Sequence, residues 1–143
     1  MKTTLILAAL ALSMQSLAFA GLPEGNFSGK ALWKTQKETG KYEVSTEIKG
    51  GSISSTYTLP DGSVKNWNFE MQPTANGFFS VVSGKRTLGQ GYCLEHVSLC
   101  HYEINFGETT LEESLTVENE KLYKYGSKKE KGILIMWQEA LSK

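Results

Sequence analysis

Between residues 41 and 49 the chain alternates without a break. Tyr42, Val44, Thr46 and Ile48 share one parity; Lys41, Glu43, Ser45, Glu47 and Lys49 share the other. Successive side chains of a strand point to opposite faces, so this run predicts a half-buried antiparallel strand. The same period of two recurs along most of the chain. Phe27, Gly29, Ala31 and Trp33 stand against Ser28, Lys30 and Lys34. Ile53, Ser55, Tyr57 and Leu59 stand against Ser52, Ser54, Thr56 and Thr58, and Trp67, Phe69 and Met71 against Asn66, Asn68 and Glu70. Val64 falls off that last parity, which predicts a bulge near Lys65. Further strands are expected over 78–83, 88–94, 99–106, 109–117, 121–126 and 132–140. The last also fits a helical face through Ile133, Met136, Trp137 and Ala140, but its β-branched start favours a strand.

Turn signals separate the runs. Thr39-Gly40, Gly50-Gly51, Pro60-Asp61-Gly62 and Asn76-Gly77 supply positive φ, a fixed φ or tolerance of left-handed geometry. Short strands joined by short hairpins read as a meander. A long meander removes its edges by closing. The expected fold is all-β, an antiparallel up-and-down meander closed into a small barrel of about 8–10 strands. It forms one domain over residues 21–143.

Residues 1–20 read as a secretory signal peptide. Lys2 gives the positive start, residues 5–12 the apolar stretch, and Ala18-Phe19-Ala20 the cleavage site. The stretch is short for a membrane anchor. The expected destination is the bacterial periplasm or the medium. With 15 basic and 15 acidic residues, the chain lacks the excess of positive charge that a general nucleic-acid binder carries. An outer-membrane barrel would need an apolar outer face, whereas Lys41, Glu43, Glu47, Lys49 and Glu70 occupy it here, so stable membrane insertion is not expected.

The inward parity is unlike a dry core. It includes Tyr42, Thr46, Ser55, Tyr57, Trp67 and Tyr102, and buried hydroxyls need partners. Glu113 runs in phase with Leu111, Leu115 and Val117, which turns a carboxylate inward. Aromatic walls with a few polar groups describe a small-molecule pocket, although a barrel of this size can also be filled by its own side chains. Tyr42, Tyr57, Trp67, Tyr102 and Glu113 are the candidate ligand-binding residues.

Gly25-Asn26-Phe27, followed by Gly29 through Trp33 and then a meander, resembles the calycin superfamily of lipocalins and fatty-acid-binding-type barrels. The lipocalin G-x-W motif would have Trp where Phe27 stands. Its late-strand Arg partner has no counterpart, since the single Arg86 is mid-chain. There is no room between Trp33 and Tyr42 for the helical lid of fatty-acid-binding proteins. The resemblance implies a barrel able to bind a small apolar or amphipathic molecule.

Cys93 and Cys100 are the only cysteines, and an even count in an exported chain points to a disulfide. A hairpin centred on His96 and Val97 would place them opposite each other. His96 and His101 with Cys93, Cys100, Glu95 and Glu103 offer a zinc-like donor mix, but oxidised cysteines cannot ligate, so no metal is expected. No cofactor is expected either. The one aspartate, Asp61, is explained by its turn, and Glu112 and Glu113 face opposite sides of a strand. The run Lys128-Lys129-Glu130-Lys131 reads as a solvated hairpin tip. The expected function is non-catalytic binding of a small apolar or aromatic molecule. Two alternatives stay open. One is a protein-binding module with a filled barrel and an exposed patch around Leu88, Val97 and Leu99. The other is a small enzyme using Glu113 with Tyr102.

Overall fold

Ten strands follow one another in a computed structural model that describes residues 21–143; the expected leader over residues 1–20 lies outside the described residues. They are β1 (Gly25–Lys34), β2 (Thr39–Lys49), β3 (Ser52–Thr58), β4 (Val64–Pro73), β5 (Phe78–Ser83), β6 (Arg86–Leu94), β7 (Leu99–Phe106), β8 (Thr109–Glu118), β9 (Lys121–Glu130) and β10 (Ile133–Ser142). Each pairs antiparallel with its neighbours in sequence, and β1 closes on β10. The up-and-down closed barrel expected from the alternation is therefore present. The ambiguous last segment is a strand.

The hairpins have local causes. Gly50-Gly51, Asn119-Glu120 and Lys131-Gly132 are two-residue connections in which both residues have positive φ. That geometry matches the twist of the strands it joins. In the β3–β4 turn, Asp61 Oδ1 accepts from the Ser63 backbone N–H at 2.9 Å and from its hydroxyl at 2.6 Å.

Three expectations need correction. No bulge occurs near Lys65: β3 and β4 stay in register from Ser52↔Glu70 to Thr58↔Val64. Val64 is simply an exposed valine on the outer parity, an ordinary occurrence on a protein surface. The irregularity falls instead between Val81 and Val82, opposite β6. Second, residues 128–130 continue β9, so only Lys131-Gly132 forms the tip. Third, Leu88 packs against the core and takes no part in a patch with Val97, which stands exposed beside Leu94.

Topology gives the barrel two unlike ends. One carries the β2–β3, β4–β5, β6–β7 and β8–β9 hairpins. Near it Phe27, Ile48, Ile53, Met71, Phe79, Leu115, Leu122 and Leu141 fill the interior. Thr46 and Ser55, expected to need partners, satisfy each other at 2.8 Å across β2 and β3. The other end carries the β1–β2, β3–β4, β5–β6, β7–β8 and β9–β10 hairpins, and there the interior is open.

Cys93 and Cys100 are register partners on β6 and β7 and form a disulfide that closes a separation of seven residues. A loop this short constrains the unfolded chain by about 2–3 kcal/mol. The Cys93→Ser, Cys100→Ser double variant should lose that much unfolding free energy and so unfold at a lower urea concentration. An unchanged midpoint would show that the crosslink adds nothing.

Candidate functional site

One row of register partners supplies Trp33, Trp137, Glu113 and Tyr102 to the site. Running round the barrel it reads Gly40, Trp33, Trp137, Gly126, Glu113, Tyr102, Gly91 and Phe79. Glycines interrupt the large side chains of this row for a steric reason. A Cβ built at Gly40 would lie 2.2 Å from the Trp33 indole, one at Gly126 would lie 2.1 Å from Trp137, and one at Gly91 would lie 2.5 Å from Phe79. At Gly91 the His101 carbonyl, 2.3 Å from such a Cβ, stands closer still than the Phe79 ring, while the Trp33 and Trp137 indoles occupy the space a Cβ would take at Gly40 and Gly126. At Gly126 this lets Trp137 reach past β9, and its Nε1 donates to Glu113 Oε2 at 2.6 Å.

The second oxygen of Glu113 accepts from the Tyr102 hydroxyl at 2.5 Å. Both oxygens thus accept, the pattern of a carboxylate held by two donors. The adjacent row is Tyr42, Ala31, Glu139 and Lys124. Small Ala31 lets the Tyr42 hydroxyl reach over it and donate to Glu139 Oε1 at 2.8 Å. Lys124 Nζ lies 2.6 Å from Glu139 Oε2. The contact is a buried ion pair. Lys124 also donates to the Tyr57 hydroxyl at 3.3 Å. Lys124 and Glu139 are 1% and 2% exposed, so both charges are fully withdrawn from water.

Burial raises the hydroxyl pKa of Tyr42 above its ordinary value, and the charge of Glu139 adds to this. Burial and then Glu113 do the same to Tyr102. Burial raises Tyr57, with Lys124 opposing. Burial raises Glu139 too, against the pull of Lys124 and with the push of Glu113. For Lys124 burial acts downward, but Glu113, Tyr57 and Glu139 outweigh it and hold the ammonium above its ordinary value. The physical cause is shared: two carboxyl groups draw on one buried cation.

Above these groups lies a cavity of about 360 Å³. The chain has three tryptophans, and Trp33, Trp67 and Trp137 all line it. Tyr42, Tyr57, Tyr102, Glu113 and Glu139 line it from below; Leu59, Lys65, Leu111 and Lys128 stand towards its mouth. The structure therefore brings Tyr42, Tyr57, Trp67, Tyr102 and Glu113, each singled out in the sequence, into one chamber. It adds Trp33, Trp137 and Glu139 to the wall and Lys124 beneath it. Lys124 follows Leu122 in phase, and Glu139 and Trp137 precede Leu141 in phase, so the alternation that exposed Glu113 also marks them.

The candidate zinc donors do not assemble. Cys93 and Cys100 are bonded to each other, and His101 Nδ1 lies 2.8 Å from Ser114 Oγ. Among the described residues no group of three His, Cys, Asp or Glu could hold a metal ion. No family model, curated protein or solved structure matches the chain.

Gly126 offers a direct test of the wall. Gly126→Ala should push the Trp137 indole off the strand, break its bond to Glu113 and cost about 1–3 kcal/mol by overpacking. Tryptophan emission should shift at the same time. Unchanged emission and stability would mean that the indole is not held over Gly126.

Proposed function

We propose that the chain is a non-catalytic binding protein that holds a small apolar or aromatic molecule inside the barrel. The observation that carries this reading is the unequal filling of the interior. One end is packed with aliphatic and aromatic side chains, while the other leaves about 360 Å³ between aromatic faces. Pockets for small molecules combine apolar walls with a few placed polar groups, as here. A closed antiparallel barrel agrees with calycin architecture, and Gly25-Asn26-Phe27 supports that assignment. The leader-like residues 1–20 and the disulfide support work in the periplasm or the medium.

Because every tryptophan lines the cavity, tryptophan emission reports on its contents. Titration with 3-phenylpropan-1-ol, excited at the red edge of indole absorption, should give a saturable change in emission. A strictly linear response up to the solubility limit would contradict the reading. An enzyme using Glu113 is the second reading, favoured by the 2.5 Å contact with Tyr102. It would require a turnover that Glu113→Gln abolishes.

A further inference from the structure

We propose that the molecule held in the cavity carries a positive charge, as an ammonium group on an aromatic or alkyl-aromatic body. This rests on the binding reading above and adds the class of ligand. The first support is the charge balance of the interior. Glu113 and Glu139 are 5% and 2% exposed, and Lys124 is the cation buried with them. Lys124 lies 2.6 Å from Glu139. Glu113 accepts its hydrogen bonds from the neutral donors Tyr102 and Trp137 and shares the charge of Lys124 with Glu139. Two buried carboxylates facing one buried cation leave a negative charge uncompensated, which is costly, and a cation entering the cavity would balance it. Each Glu113 oxygen accepts one of these bonds, and a carboxylate has capacity for about four, so it can also receive an N–H of the ligand.

The second support is the wall. Trp33, Trp67 and Trp137 turn into the same space as Glu113, and indole faces attract cations. The interior already contains one such contact, with Lys124 Nζ 5.3 Å from the centre of the Tyr57 ring. The rim does not reverse this argument. Lys65 and Lys128 stand at the mouth, where Lys128 Nζ lies 3.0 Å from Glu130 in a pair exposed to water. Charges in water are screened, whereas the two buried carboxyl groups share one cation out of it.

The test is calorimetric titration of the wild-type protein with three probes of matched size: 3-phenylpropylamine, 3-phenylpropan-1-ol and 3-phenylpropionate. The amine should bind about tenfold more tightly than the alcohol, and the carboxylate most weakly. In Glu113→Gln the preference for the amine should largely vanish while the alcohol still binds, which also reports that the variant is folded. Equal binding of amine and alcohol would overturn the charge assignment and leave the binding reading standing. Tightest binding of the carboxylate would overturn it in favour of selection by Lys65 and Lys128. Failure of all three to bind would overturn both. The wild-type series decides the matter even if the variant does not fold.

Discussion

Lys124→Met should lower the stability of the protein by about 3–5 kcal/mol. The substitution keeps the bulk of the side chain and removes its charge. Glu139 is then left with no cation while 2% exposed, and Glu113 loses the same neighbour. A small domain has about 5–15 kcal/mol in all, so this change takes a large share. The expected loss comes from orphaning a buried carboxyl group, not from an intrinsic gain on forming the pair. Accordingly, Lys124→Met combined with Glu139→Gln should cost clearly less than the sum of the two single changes. Urea denaturation of the four proteins measures the cycle. A loss below about 1 kcal/mol for Lys124→Met would mean that Glu139 does not depend on the lysine.

Stability should also fall steeply above about pH 10. The folded pKa values of Tyr42, Tyr57 and Tyr102 are raised from 10.0, and that of Lys124 is raised from 10.5. A raised value means that the folded state keeps a proton which the unfolded chain gives up. The stabilisation is therefore complete below the unfolded value and is lost as pH climbs towards the folded one. Each such group contributes up to about 1.4 kcal/mol per pH unit. Together they remove up to about 5 kcal/mol between about pH 8 and about pH 11. Denaturation midpoints across this range provide the measurement. A flat profile would mean that the tyrosine hydroxyls ionise freely in the folded barrel, and hence that Tyr42 and Tyr102 are not enclosed with Glu139 and Glu113.

The barrel was legible because strict alternation needs no knowledge of distant partners. Tyr42 to Ile48 and Leu111 to Val117 each declare an inner face by themselves, and that placed Tyr42 and Glu113 correctly. Local reading failed where facing depended on register. Val64 looked out of phase because an exposed valine and an inward Lys65 at the mouth reverse the usual polarity there. Trp137 was obscured because β10 fits a helical face as well as a strand. Lys124 and Glu139 carry the right phase, but a buried charge is credible only when its partner is known. That partner lies across the β9–β10 ladder, and the third member, Tyr42, arrives through closure of β1 on β10. Thr39-Gly40 reads as a turn in the sequence, yet Gly40 lies within β2. Only the paired strands reveal that Gly40 and Gly126 make room for a neighbouring indole.

Native mass spectrometry of the protein, purified from the organism that makes it and compared with its denatured mass, asks whether the open end of the barrel holds a small molecule. The expected result is a discrete added mass that is lost on denaturation. A bare native mass, together with tryptophan emission that does not respond to 3-phenylpropan-1-ol, would contradict it.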